Sequence, residues 1–245
     1  MLSLAVNKCM SRIVDKWLNH ILNNLLLTQC LLCGLPAHKL VNLCEGCAAD
    51  MPWAREACPR CAMPNAKAII CSACQRKPPL HERALAALWY TPPASDLILL
   101  LKFQGVLHAA PVLGSLFVQR LSEHPDPLPQ AILPVPLHHS RLRQRGYNQA
   151  VEIGRVIAKA LAIPLLSSGT KRVLATVPQS TLMTVQDRAR NLRNAFAVTS
   201  CLQGLTHIAI IDDVMTTGAT VQSLAGVLRQ AGVKRVDVWV CARAV

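Results

Sequence analysis

His207-Ile-Ala-Ile-Ile-Asp-Asp-Val-Met-Thr-Thr-Gly-Ala-Thr220 runs from an uninterrupted apolar stretch into two adjacent acids, then through a hydroxyl-rich turn containing one glycine. Ile208–Ile211 has the length and composition of a strand buried on both faces. Thr220–Ala231 follows with helical spacing of its apolar residues, so the acids fall where a strand ends and the turn where a helix begins. Two chemistries meet there. The amides from Thr216 to Thr220, the hydroxyls of Thr216, Thr217 and Thr220, and the positive end of a helix dipole, behind Gly218 and Ala219, suit a phosphate monoester. Ionised Asp212 and Asp213 are acceptors only, and suit sugar hydroxyls. Taken singly, Gly218 reads as a tight-turn residue and the acids as helix N-terminal charges. Their order in one segment is what points to a ligand.

Working outward, Ala84–Tyr90, Ala131–Val135, Ile163–Leu166 and Val236–Cys241 read as strands and Gln149–Leu161 as a helix. This alternation predicts an α/β fold, a mostly parallel sheet flanked by helices. With 52% hydrophobic residues but only 4% aromatic, the core must be Leu, Val, Ile and Ala, which argues against an all-β sandwich. A chain of 245 residues has room for one such domain and a small appendage. Gly169–Asn194 is polar, basic and poorly periodic, and reads as a mobile loop. Apolar residues from Met10 to Leu26 recur at helical spacing and predict one amphipathic helix, packed on the protein's own body in preference to a membrane. The predicted division is an N-terminal helix over 1–28, a cysteine-rich module over 29–78, and the α/β domain over 79–245.

Cys30/Cys33, Cys44/Cys47, Cys58/Cys61 and Cys71/Cys74 form four CxxC knuckles separated by ten, ten and nine residues. Lys8, Arg12, Asp15 and Lys16 interrupt the N-terminal apolar run, so a signal peptide is not predicted, nor is a transmembrane segment. The expected setting is the reducing cytoplasm, where such knuckles are metal ligands in preference to disulfides. Each pair of knuckles closes one tetrahedral site, giving two zinc ribbons, with sequential or interleaved pairing both open. Repeated knuckles on short hairpins suit zinc better than an iron–sulfur cluster. Four sulfurs leave no place for a catalytic water, so the metal is structural. His38 and His81 are bystanders, and Cys9, Cys201 and Cys241 are free thiols.

The formal charge is +13, and two Zn²⁺ on eight thiolates would leave +9. The excess is concentrated between His138 and Arg193, with ten Lys or Arg against Glu152 and Asp187. An anionic ligand, polyphosphate or nucleic acid, is one reading, and a solvated basic face the other.

The His207–Thr220 segment resembles the motif by which type I phosphoribosyltransferases bind 5-phosphoribosyl-1-pyrophosphate (PRPP). A P-loop is excluded, because no Gly-Lys-Ser or Gly-Lys-Thr occurs. Together with the four knuckles, Leu101-Lys102-Phe103, Val135-Pro136-Leu137, Arg141, Arg145-Gly-Tyr-Asn-Gln149 and Arg190-Asn-Leu-Arg-Asn-Ala-Phe196, it is similar to the ComF/GntX family associated with competence and DNA utilisation. The resemblance implies a phosphoribosyltransferase-like domain behind a double zinc ribbon, with PRPP bound as its Mg²⁺ complex. Thr216, Thr217, Gly218, Ala219 and Thr220 would hold its 5-phosphate, Asp212 and Asp213 its ribose, and the loop of Val135 and Pro136 its diphosphate with Arg141 and Arg145. It also implies a cis peptide in that loop, without proline, and a flexible catalytic loop carrying Gln179, Ser180, Arg188 and Arg190. Transfer of the phosphoribosyl group to a base or amine is one expectation. The other is a non-catalytic protein that binds single-stranded DNA or a helicase-like DNA-uptake partner. His138 and His139 are read as exposed loop histidines, and Tyr147 as packing beside the following helix.

Overall fold

The computed structural model describes residues 29–37, 42–124, 126–172, 196–199 and 202–245. It separates into two compact units, Met1–Ala49 and Asp50–Val245, and the division falls inside the 29–78 stretch. The predicted helix over 1–28 lies outside the described residues.

In the first unit Cys30 N–H donates to Leu35 O (2.8 Å) and Gly34 N–H to Cys30 O (2.9 Å), closing a knuckle, and helix α1 (Glu45–Ala49) carries Cys47 of the second pair. The second unit begins with the same construction. Cys58 N–H donates to Met63 O (2.8 Å) and Ala62 N–H to Cys58 O (2.8 Å), and α2 (Ser72–Arg76) follows.

Strands β1 (Arg83–Trp89), β2 (Ala131–Pro134), β5 (His207–Met215) and β6 (Arg235–Arg243) form one parallel sheet in the order β1-β6-β5-β2. Nearly every residue of β6 and β1 is buried, because helices cover both faces and leave no solvent side for polar alternation. Helices α4 (Ala109–Ser122) and α6 (Gln149–Leu161) pack on one face and on each other. Their crossing is close at Gly114, where an added Cβ would lie 2.8 Å from Val156 Cβ. Helix α7 (Ala219–Gln230) covers the other face through Val221, Leu224, Ala225 and Leu228. Ala54 and Ala62, from the second ribbon, are buried in that same cluster.

The expected fold class is observed, with local differences. Ile163–Leu166 reduces to a single parallel bridge between Leu165 and Ile132. The predicted loop from Gly169 opens with β3 (Thr170–Arg172), antiparallel to β4 (Phe196–Val198), and the stretch 173–195 lies outside the described residues. The basic segment after Pro136 contains a short helix, α5 (His139–Arg145), and α3 (Ala94–Phe103) precedes α4. Among the described residues the cis peptide is Pro92-Pro93, so the expected cis bond after Val135 is not found. No described helix is long and apolar enough to cross a membrane.

Candidate functional site

Strand β5 runs beyond Ile211 to Met215, so the two acids lie within its hydrogen-bonded length. Asp213 is 2% exposed, a correction to the expectation of a buried strand Ile208–Ile211 with both acids beyond its end. The pair is folded against its own backbone. Asp213 N–H donates to Asp212 Oδ1 (2.9 Å) and Val214 N–H to Asp213 Oδ1 (2.7 Å). Lys102, at the end of α3, places Nζ 2.9 Å from Asp213 Oδ2, an ion pair outside hydrogen-bond angles. Burial and the neighbouring Asp213 carboxylate push the Asp212 carboxyl up to about 8, against the pull of the Lys102 ammonium.

Thr216 and Thr217 are exposed, and Gly218 turns the chain at φ +77° into α7. An added Cβ at Gly218 would meet Met215 Sδ only at 3.6 Å, so the glycine is required by its φ and not by space. Thr217 Oγ1 accepts from Ala219 N–H at 3.4 Å. Behind the turn Arg243 donates from Nη1 to Met215 O (2.8 Å) and to Thr216 O.

A cavity of about 890 Å³ opens over this strand end. Of the predicted ligand residues, Val135, Arg141, Arg145, Asp212, Asp213, Thr216 and Thr220 line it. Pro136, Thr217, Gly218 and Ala219 adjoin those residues without lining it, and Gln179, Ser180, Arg188 and Arg190 lie outside the described residues. Lining residues not singled out from the sequence are Lys102, Phe103 and Gln104 from the end of α3, Tyr90 after β1, Gln144 and Gln149, and Arg172 of β3. Lys102-Phe103 was visible only as part of a family-like triplet. Nothing local to its sequence says that its ammonium reaches Asp213.

His138 corrects another expectation. It is buried as the N-cap of α5, where Nδ1 accepts from Ser140 N–H (3.3 Å), and is no exposed loop residue. Tyr147 reaches back to donate to Leu101 O and lines the cavity. The Arg145 guanidinium donates to Gln149 Oε1 and lies 5.7 Å from the centre of the Phe103 ring. Arg141, Arg145, Arg172 and Lys102 thus line the same cavity as the two carboxylates, a mixture of charges suited to a sugar carrying anionic groups.

The cysteines resolve the pairing left open by spacing. Cys30, Cys33, Cys44 and Cys47 form one group and Cys58, Cys61, Cys71 and Cys74 the other, with the sulfurs of each within 4.8 Å of one another. Cys33 and Cys44 sulfurs are 3.6 Å apart and those of Cys61 and Cys71 3.7 Å, close to the edge of about 3.8 Å of a tetrahedron with Zn–S bonds of about 2.3 Å. Burial opposes ionisation, but backbone donors lower the Cys30 thiol to about 6 and the Cys58 thiol to about 7. The donor sets fit structural zinc. His81 Nε2–H donates to Arg60 O (2.7 Å), and the two cysteine groups do not include it, while Cys241 is a buried free thiol.

A double cysteine-rich metal module ahead of a parallel α/β sheet defines the class of protein. Residues 21–75 match the model of the double zinc ribbon domain. The chain is 36% identical to DNA utilization protein YhgH of Salmonella typhi over 220 residues, 87% of this chain and 96% of that protein. To competence protein F of Haemophilus influenzae it is 33% identical over 227 residues, 88% of this chain and 97% of that protein. It belongs to their family, the ComF/GntX family. Among solved structures, adenine phosphoribosyltransferase is similar at 10% identity with a TM-score of 0.36, over 60% of this chain and 75% of that one.

Proposed function

We propose that the cavity binds Mg²⁺-PRPP and that the protein works as a phosphoribosyltransferase in the use of DNA or its products. The observation that carries this reading is the opening of the Asp212-Asp213 pair and the Thr216–Thr220 turn into one cavity with Arg141 and Arg145. The 5-phosphate is held by the turn, the ribose hydroxyls by Asp212 and Asp213, and the diphosphate by the segment from Val135 to Arg145, including Pro136. Lys102 must then yield or share Asp213 when the ribose arrives. An acceptor nitrogen forms its bond to the anomeric carbon as the bond from that carbon to the diphosphate oxygen breaks. The bonding pair leaves with pyrophosphate, and the proton of the acceptor nitrogen passes to solvent. The chain's contribution is positioning and stabilisation of the leaving charge. Zinc stays structural, and the reducing cytoplasm is the setting that keeps its eight thiolates available.

A second reading is an accessory protein that keeps the PRPP site while its ribbons or basic segment, with Arg188 and Arg190, hold single-stranded DNA or a helicase-like partner. The names of the relatives, DNA utilization protein and competence protein, favour it. Calorimetry with Mg²⁺-PRPP tests what the readings share, and wild-type protein giving no heat of binding would remove both. Release of pyrophosphate with nucleobases, amines or nucleic acids as acceptors separates them. Release with any acceptor supports the enzyme, and binding without release supports the accessory protein.

A further inference from the structure

We propose that Arg243 is a positioning residue that couples the second cysteine cluster to the phosphate turn, so that metal at one site and ligand at the other tighten each other. The inference deepens the PRPP reading and rests on it only for the identity of the ligand.

Arg243 closes β6, in register with Met215 on β5, and is 6% exposed. Its Nε donates to Cys61 O (3.0 Å), and its Nη1 to Met215 O (2.8 Å), Ala244 O (2.6 Å) and Thr216 O. A desolvated guanidinium is costly unless its protons find acceptors, and here main-chain carbonyls accept from Nε and Nη1. The side chain therefore responds to backbone position. One of those carbonyls belongs to a cysteine of the cluster, and two belong to the residues that open the turn.

Peptide planarity converts this grip into ligand geometry. In a trans peptide the C=O and the following N–H point in opposite directions. Pinning the carbonyls of Met215 and Thr216 on the Arg243 side directs the N–H groups of Thr216 and Thr217 away from it, as an anion site at this turn requires. The Cys61 carbonyl fixes the third corner. Its position is held when its own sulfur is bound to metal beside Cys58, Cys71 and Cys74. Loss of that metal frees the knuckle and with it the anchor that orients the guanidinium. The coupling is reciprocal by linkage, so whatever factor the metal adds to ligand affinity, the ligand adds to metal affinity.

The test uses the full chain. Amide hydrogen exchange across Thr216–Thr220 is compared in zinc-loaded and chelator-stripped protein, with α6 as internal control. Exchange in the turn is expected to speed up on the order of ten-fold on stripping, a usual size for coupling between sites, while α6 is unchanged. Arg243→Met should show the fast turn with both zinc ions still bound, and Arg243→Lys an intermediate rate. In a second arm, zinc release to a chromogenic chelator is followed with and without Mg²⁺-PRPP, and ligand should slow one of the two ions in wild type and neither in Arg243→Met. A turn equally protected with and without zinc overturns the coupling, and so does an Arg243→Met protein that keeps the wild-type contrast. Should Arg243→Met fail to fold, the wild-type comparison decides alone. If the turn responds to zinc but calorimetry detects no PRPP, the coupling stands and the ligand assignment falls. If PRPP binds and the turn ignores zinc, the reverse holds.

Discussion

The two ribbons share one plan and differ in what surrounds them. Each opens with the same pair of knuckle hydrogen bonds and closes with a five-residue helix. The left-handed position of the first knuckle is Gly34 at φ +74° in one and Ala62 at φ +53° in the other. Alanine is the poorer residue for that conformation but the better one to bury, and Ala62 is fully buried in the core beneath α7. The second ribbon is tied to the sheet by Ala84 N–H to Pro59 O (2.9 Å), Ala54 N–H to Ala87 O (2.9 Å) and Arg243, and to α4 by Arg120 Nη2 to Ala54 O (3.1 Å). The first belongs to the unit Met1–Ala49, and Cys33 within it is exposed. Closely similar metal motifs thus belong to a small unit in one case and to a domain core in the other.

The largest effect expected from this contrast is on stability. Cys58→Ser with Cys61→Ser should lower the melting temperature of the Asp50–Val245 unit by more than about 10 °C, since structural zinc contributes many kcal/mol and each kcal/mol moves a domain of this size by about 2–4 °C. Cys30→Ser with Cys33→Ser should move the same transition by less than about 2 °C. Equal shifts in differential scanning calorimetry would erase the distinction between the ribbons.

Ligand protection should follow the same line. Mg²⁺-PRPP at about 100 times its Kd should raise the transition of the second unit by roughly 5–10 °C, corresponding to about 2.7 kcal/mol, and leave the release of zinc from the first cluster unchanged. Asp212→Asn with Asp213→Asn should abolish the rise. A thermal shift that survives in the double variant would move the ligand away from this strand end.

Titration gives a smaller effect. With the Asp212 carboxyl raised to about 8, Asp212 is largely protonated at pH 7 without ligand, whereas ribose hydroxyls call for the ionised acceptor. PRPP affinity should therefore rise about ten-fold from pH 7 to pH 9 by calorimetry, and Asp212→Asn should flatten the profile. The sign reverses for stability without ligand. A carboxyl whose folded value is raised loses stability as pH climbs from its unfolded value toward about 8, so Asp212→Asn should melt higher than wild type at pH 8.

The smallest effect concerns nucleic acid. If the second ribbon binds single-stranded DNA, neutralising Arg55, Arg60 and Arg76 should reduce the salt slope of binding by about one unit for each phosphate no longer paired with a cation, and leave PRPP affinity unchanged. If Arg141 and Arg145 hold the DNA instead, saturating Mg²⁺-PRPP should displace it. Filter binding across a salt series distinguishes the two.

Sequence reading reached furthest where chemistry is contiguous. Asp212 through Thr220 could be assigned as one unit because strand end, acids, turn and helix start lie in a single segment. The cysteine spacing likewise announced two metal sites, yet nothing in it distinguished their surroundings. That difference depends on Arg120 and Arg243, partners far along the chain from the ribbon they touch. Lys102 was missed as a partner of Asp213 for the same reason, and His138 was misread because an N-cap role depends on where a short helix begins. Helix α5 itself carries only Arg, Gln, His, Ser and Leu with no buried face, so no apolar periodicity could announce it.

The sheet order also carries a consequence for synthesis. Strand β6 lies between β1 and β5, so β1 waits for Asp237 to be translated before Arg83 finds its neighbour. The first cysteine cluster closes within a short local segment, whereas the buttress of the second is translated after every strand it serves. Zinc can be captured by the first ribbon on the nascent chain, but the second completes its scaffold only when β6 has joined the sheet, a slow long-range step. Metal scarcity during translation would therefore leave its mark chiefly on the later closure.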